Sequence, residues 1–182
     1  MVADITRSKR ISRAIYEWLD ALVFALVAVV VLFTFVFKSY MVRGISMEPT
    51  LYDGYRVFVY SFMYTPSQGD IIVMDESLEI GDYSIVKRVV AVENQTVDID
   101  PDTGEITVDG VVFDTPISTS HTNNAGDMDF PGVVPEGYIF VMGDNREHSL
   151  DSRYQRIGFI DKRNIIGKAI YIISPVEKAG KL

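Results

Sequence analysis

Two residues stand out for chemistry: Ser46, in Gly44-Ile45-Ser46-Met47-Glu48-Pro49-Thr50-Leu51, and Lys87, in Tyr83-Ser84-Ile85-Val86-Lys87-Arg88-Val89-Val90. A serine hydroxyl is a poor nucleophile at neutral pH unless a base takes its proton. The histidines, His121 and His148, have no evident orienting partner in the sequence. Lys87 is the better base, because a lysine within a strand-like apolar run is costly when charged, and burial lowers its pKa towards a usable neutral amine. The chemistry of such a pair is acyl transfer by a hydroxyl. With no cysteine, the chain has no thiol nucleophile, disulfide framework or cysteine-ligated metal. Taken singly, Ser46 also reads as a turn serine and Lys87 as a snorkelling surface lysine.

These residues must be positioned by short strands. Tyr52-Asp53-Gly54-Tyr55 reads as a turn. Arg56 to Tyr64 is rich in β-branched and aromatic residues and reads as a strand. Its Phe58, Tyr60, Phe62, Met63 and Tyr64 either pack on the sheet or form an apolar rim that dips into lipid headgroups. Strands follow over Ile71 to Met74 and Ser84 to Val92, separated by an acidic loop from Glu76 to Asp82. Val97-Asp98-Ile99 and Ile106-Thr107-Val108 flank a Pro/Asp/Gly loop as a hairpin, and Asp109-Gly110 turns into Val111-Val112-Phe113. Residues 114–137 read as a long polar surface loop with Asp127 and Asp129 solvated. Tyr138 to Met142 and Ile165 to Ile173 complete the strands. The pattern predicts a mainly β fold, an antiparallel sheet or barrel-like catalytic domain.

The exception is Leu19 to Phe37, a run of nineteen residues broken only by Asp20 and Thr34. As a helix it spans about 28 Å, close to the ~30 Å hydrocarbon thickness. A buried core helix would carry a polar stripe, and a cleavable signal peptide would end in a small-x-small site; neither feature is present. The run reads as one N-terminal transmembrane helix. Arg7, Lys9, Arg10 and Arg13 precede it, which predicts a cytoplasmic N-terminus and an exported remainder. The expected organisation is a basic arm over 1–17, an anchor over 18–38 and an extracytoplasmic catalytic β domain over 39–182.

The net charge of −8 is uneven: residues 1–38 hold five basic and three acidic residues, the remainder twelve and twenty-two. An acidic domain with a short basic arm is a poor nucleic-acid binder. Asp98, Asp100 and Asp102 invite a calcium-loop reading, but the required glycine position is Thr103 and Pro101 lies inside, so no metal is expected.

Four stretches in order resemble type I signal peptidases, bacterial membrane-bound serine–lysine proteases: Ser46 to Leu51, Gly69-Asp70-Ile71-Ile72-Val73, Lys87-Arg88-Val89-Val90, and Gly143-Asp144-Asn145-Arg146 through Ser149 to Asp151-Ser152-Arg153. With the anchor, the resemblance covers nearly the whole chain. It implies Ser46 as nucleophile, Lys87 as general base and Ser149 as the hydroxyl that orients the lysine. Asp151 and Arg153 match a structural ion pair, Asp144 and Arg146 match residues that support it, and Arg88 is expected to be an exposed strand neighbour. It further implies cleavage of N-terminal signal peptides from exported preproteins with small residues before the cut, through an acyl-enzyme, without metal or nucleotide. The implied setting is a single-pass protein of the cell membrane, with membrane lipid and secretion machinery as further partners. Some members carry a serine at the position of Gly44, so here the oxyanion hole is expected to rest on backbone N–H groups, chiefly that of Ser46. The glycine-rich turn usual after the lysine strand is replaced by Ala91-Val92-Glu93-Asn94-Gln95.

Two other functions fit parts of the pattern. A self-cleaving repressor would share the serine–lysine pair but needs a DNA-binding or partner module and no anchor. A non-catalytic anchored module that binds exported peptides would keep its function after Ser46→Ala.

Overall fold

The computed structural model describes residues 2–75, 84–115 and 121–182; the expected acidic loop over Glu76 to Asp82 lies outside them. The chain forms two compact units, residues 1–37 and 38–182. The first is helix α1, Val2–Val36. It extends well N-terminal of the apolar run, so the basic arm is helical. Trp18, Leu22, Phe24, Leu26, Val30 and Phe33 are all exposed on it, an apolar surface that runs around the helix rather than along one stripe. The Thr34 hydroxyl donates to the Val30 carbonyl at 2.8 Å, which satisfies the polar group within the helix itself. Among the described residues no helix is long and apolar enough to cross a membrane; the side chains at 32 and 35, inside the apolar run, are outside that description.

The second unit is built of strands β1 (Phe37–Met41), β2 (Arg56–Tyr60), β3 (Ile71–Met74), β4 (Ile85–Val92), β5 (Thr96–Ile99), β6 (Ile106–Val108), β7 (Val111–Val112), β8 (Gly132–Val133), β9 (Tyr138–Met142), β10 (Ile160–Asp161), β11 (Ile165–Ser174) and β12 (Gly180–Lys181). The larger sheet has the order β1-β2-β11-β3-β4-β9-β10, with β12 also on β11; the smaller has the order β7-β6-β5-β8. The registered pairings are antiparallel. Mainly antiparallel β structure is therefore the fold.

Alternation explains the core. Val57 and Val59 of β2 are buried, with Val73 of β3 and Ala169 and Ile172 of β11, against Val42, Met47 and Leu51. The other face of the sheet buries Ile72, Met74, Val89, Ile139, Val141 and Ile160, and the smaller sheet encloses Val97, Ile99, Ile106, Val108 and Phe140.

Four expectations change. The strand expected to reach Tyr64 stops at Tyr60, and Phe62 and Met63 are exposed beyond it. Met63 takes a positive φ of 48°, a turn conformation that a continuing strand cannot contain. The helix gives way to β1 at Phe37, which the apolar pattern alone hid. Residues 114–137 are not wholly loop: Gly132–Val133 pairs with Thr96–Val97 of β5, a two-residue strand with no periodic signal. β10 and β12 were missed because they are equally short.

Candidate active site

Ser46 lies on a turn, not a strand. The turn is held from both ends and from below. Val42 N–H donates to the Tyr55 carbonyl at 2.7 Å, and Gly54 N–H to the Val42 carbonyl at 3.0 Å. Gly44 N–H donates to Asp53 Oδ1 at 2.7 Å. Inside the turn, Glu48 N–H reaches the Ile45 carbonyl and Leu51 N–H the Met47 carbonyl. Met47 and Leu51 are 1% and 0% exposed, and burying each contributes about 1.5–3 kcal/mol. They fasten the turn to the core and leave Ser46 half-buried at its crest.

β4 supplies Lys87. Its register with β3 places Lys87 opposite Ile72 and Arg88 opposite Ile71. Consecutive strand residues face opposite sides, so these two adjacent cations go to different partners. Lys87 is 3% exposed, and its Nζ donates to Ser149 Oγ at 3.1 Å. Ser46, Lys87 and His148 line one cleft of about 560 Å³, whose apolar walls include Ile45, Met74 and Ile85.

Arg88 is not the exposed neighbour expected. It is 7% exposed and grips Asp144 with Nε and Nη2, both at 2.7 Å. Its Nη1 donates to the Gly69 carbonyl at 2.8 Å. The Thr50 hydroxyl donates to the same Asp144 carboxylate, so this ion pair ties the Ser46 turn to β4 and to the segment after β9. Thr50 was missed by sequence reasoning. The available signal was Arg88 itself, since a guanidinium, which stays charged when buried, is costly there unless it is paired.

Asp151 and Arg153 form a second ion pair at 2.8 Å with both side chains fully buried. Arg153 also donates to Thr122 Oγ1, the Asn124 carbonyl and the Ser149 carbonyl, while Asp151 Oδ2 accepts from Gly143 N–H at 2.9 Å. Burial opposes ionisation of Asp151, but the hydrogen bonds and charge of Arg153, with hydrogen bonds from Ser149 and Gly143, outweigh it and hold its pKa below the usual value. Ser149 therefore sits between the two charged groups: its Oγ accepts from Lys87 Nζ, and it helps to hold the Asp151 carboxylate ionised.

Arg146 is buried without a carboxylate bond: its Nε donates to the Gly143 carbonyl at 3.1 Å, and its Nη1 has no hydrogen-bond partner among the described residues. Burial, with the nearby Arg153 and Arg88 charges, lowers its pKa to about 10 against the pull of Asp144 and Asp151. Asn145 closes the site: its N–H donates to the Ser46 carbonyl at 3.0 Å and its Nδ2 to the Ile45 carbonyl at 3.1 Å. His148 sits 3.3 Å from Asn145 Oδ1 through Nδ1, with an amide rather than a carboxylate beside it. Gly44 has φ +76°, a conformation glycine adopts at little cost. Asp100 Oδ1 accepts from the N–H groups of Asp102 and Thr103, which makes it the cap of a turn.

Gly143 packs between the two halves of the site. A Cβ there would run into Ser149 Oγ and the Ser46 carbonyl oxygen. Gly143→Ala is expected to cost about 1–3 kcal/mol from overpacking and to lose most activity, read by thermal melting and peptide turnover. An alanine variant of native stability and rate would show the contact to be slack.

A family model described as signal peptidase, peptidase S26, matches residues 15–174. The chain is 33% identical to signal peptidase I of Bacillus licheniformis over 96% of this chain and 97% of that protein. It is 33% identical to signal peptidase I P of Bacillus subtilis subsp. natto, over 94% and 96%. Among solved structures, a signal peptidase I from Enterococcus faecalis V583 is similar at 30% identity, covering 58% of this chain and 97% of that one, with a TM-score of 0.43.

Proposed function

The chain belongs to the signal peptidase family, peptidase S26, and from that membership we propose that it cuts N-terminal signal peptides from exported preproteins, with Ser46 as nucleophile and Lys87 as general base. The observation that carries the residue roles is the shared cleft: Ser46 on its rim, and Lys87 buried in it and held by Ser149. Burial disfavours the ammonium form, and Ser149 accepts from the amine, so the amine's lone pair is available to Ser46. Lys87 takes the Ser46 proton as the hydroxyl attacks the scissile carbonyl. The oxyanion is held by backbone N–H groups, chiefly that of Ser46, because Gly44 brings no side-chain donor. The tetrahedral adduct collapses, the proton passes from Lys87 to the leaving amine, and the signal peptide remains as an ester on Ser46. Lys87 then deprotonates a water, which hydrolyses the ester.

The substrate lies as an extended strand along β4. That strand pairs with β3 over Ile85–Arg88 and with β9 over Arg88–Val92. Past Met142 the chain turns away, so among the described strands none continues β9 beside Ile85–Lys87. This edge faces the cleft and suits β-strand addition, with the part before the cut running from Ser84 towards Lys87.

We assign 1–17 as the cytoplasmic arm, 18–38 as the single-pass anchor and 39–182 as the extracytoplasmic catalytic domain. Support comes from the apolar run Leu19 to Phe37, its exposed surface on α1 and the preceding basic residues. Membrane lipid and secretion machinery are then its neighbours. Protease added to intact spheroplasts should digest the chain beyond about residue 40 and spare an N-terminal tag; digestion of that tag would reverse the orientation. Function is tested by incubating the purified protein with a synthetic preprotein and reading the cut by mass spectrometry. One cut after a small residue, lost in Ser46→Ala, is expected. An intact preprotein, or cutting that persists in Ser46→Ala, would refute the reading.

A further inference from the structure

The cleft has a second end. Its lining includes Ser46, Lys87, His148 and Asp151 on one side and Asp75, Ser84 and Asn164 on the other. The β3–β4 register sets their separation. Lys87 faces Ile72 and Ile85 faces Met74, so Asp75 falls level with Ser84, three rungs from Lys87. At about 3.3 Å per residue this is roughly 10 Å.

The charges around the cleft are not equivalent. Lys87 is bonded to Ser149, Asp151 to Arg153, and Arg43 takes part in an interaction of its own. Asp75 is exposed. Its backbone N–H is fixed to the Asn164 carbonyl at 2.9 Å, while its carboxylate has no hydrogen bond or ion pair among the described residues. That charge is felt nearby: after burial, it is the cause that raises the pKa of Tyr40.

We propose that Asp75 is a specificity-determining residue whose carboxylate, unpaired among the described residues, favours a basic side chain, and disfavours an acidic one, about four residues before the cut. The proposal rests on the peptidase reading above, with the acyl part of the substrate beside Ser84–Lys87. If the residue before the cut lies at the Lys87 rung, the fourth lies at the Ser84 rung, on the side of β4 away from β3. It is then two strand spacings, about 10 Å, across the sheet from Asp75, a gap that the long side chain of a lysine spans. An exposed charge pair is worth up to about fivefold in affinity, and replacing attraction by repulsion widens the range.

The test uses the full-length protein and one peptide series with a common cleavage site, carrying Lys, Gln or Glu at the fourth or fifth residue before the cut. The wild type should rank them Lys, Gln, Glu in kcat/KM, with about a five- to tenfold range at low salt that shrinks as salt screens the exposed charge. In Asp75→Asn the range should close, and in Asp75→Lys the order should invert. Each comparison is a ratio within one enzyme, so altered folding or yield does not imitate it. A wild type indifferent to charge at these positions, or a preference that survives both substitutions, would overturn the role of Asp75. Failure of the peptidase reading is separate: it would appear as no Ser46-dependent cutting of any peptide.

Discussion

Lys87→Arg should abolish turnover although the positive charge is kept. A guanidinium stays protonated throughout the accessible pH range and cannot accept the Ser46 proton. Ser46→Ala and Lys87→Ala should each lower kcat by on the order of 10⁴-fold or more, and the double variant should be no worse than either, because the two side chains act as one unit. A free lysine, with a pKa of about 10.4, would hold almost no neutral amine at neutral pH. The wild-type rate should therefore rise with pH along a limb whose apparent pKa lies well below that value, as expected for a 3%-exposed amine. Lys87→His should retain slight activity with the limb moved to lower pH. Ser149→Ala should slow turnover without removing it, because Ser149 aims the amine and does not itself take the proton. The measurement is the pH–rate profile of each variant on one peptide. An active Lys87→Arg enzyme with the wild-type profile would remove Lys87 from the mechanism and turn attention to His148.

The second large effect lies beneath the cleft. Asp151→Ala leaves Arg153 buried and without its counter-ion. Breaking a buried pair from one side costs about 3–5 kcal/mol, a large share of the roughly 5–15 kcal/mol by which a domain is stable. Melting of the catalytic domain should fall by about 10 °C. Activity should fall as well, since Asp151 also holds the N–H of Gly143, the residue that packs closely between Ser149 Oγ and the Ser46 carbonyl. Asp151→Leu combined with Arg153→Met removes both charges and should be less destabilised than Asp151→Ala alone. Because the folded state lowers the Asp151 pKa, the stabilisation is present above the unfolded value, about 3.9, and is lost as pH falls below it through the folded value. The gap in stability between wild type and Asp151→Ala should thus be full at pH 6 and narrow below pH 4. Denaturant unfolding at both pH values measures it; an equal gap at both would mean that the pair is not what stabilises the loop.

Local patterning was enough to determine the antiparallel β character, because alternation over β2, β3, β4, β9 and β11 is written residue by residue. Side-chain type also offered Ser46 and Lys87 as a candidate pair, since a lysine in an apolar run has few inexpensive explanations, and the structure places both in one cleft. What the sequence could not decide was which groups meet. Lys87 and Arg88 are neighbours in the chain, yet one reaches Ser149 and the other Asp144, because a strand sends consecutive side chains to opposite faces. Asp144 sits two residues from Arg146 but pairs with Arg88 and Thr50, partners 56 and 94 positions away. The strand Gly132–Val133 exists only because Thr96–Val97 offers it an edge. Asp75 carries no motif, and its place in the cleft follows from the β3–β4 register. Hydrogen-bond partners and register are long-range properties, settled when distant strands pack, so only the tertiary structure distributes these charges between the two ion pairs and the open end of the cleft.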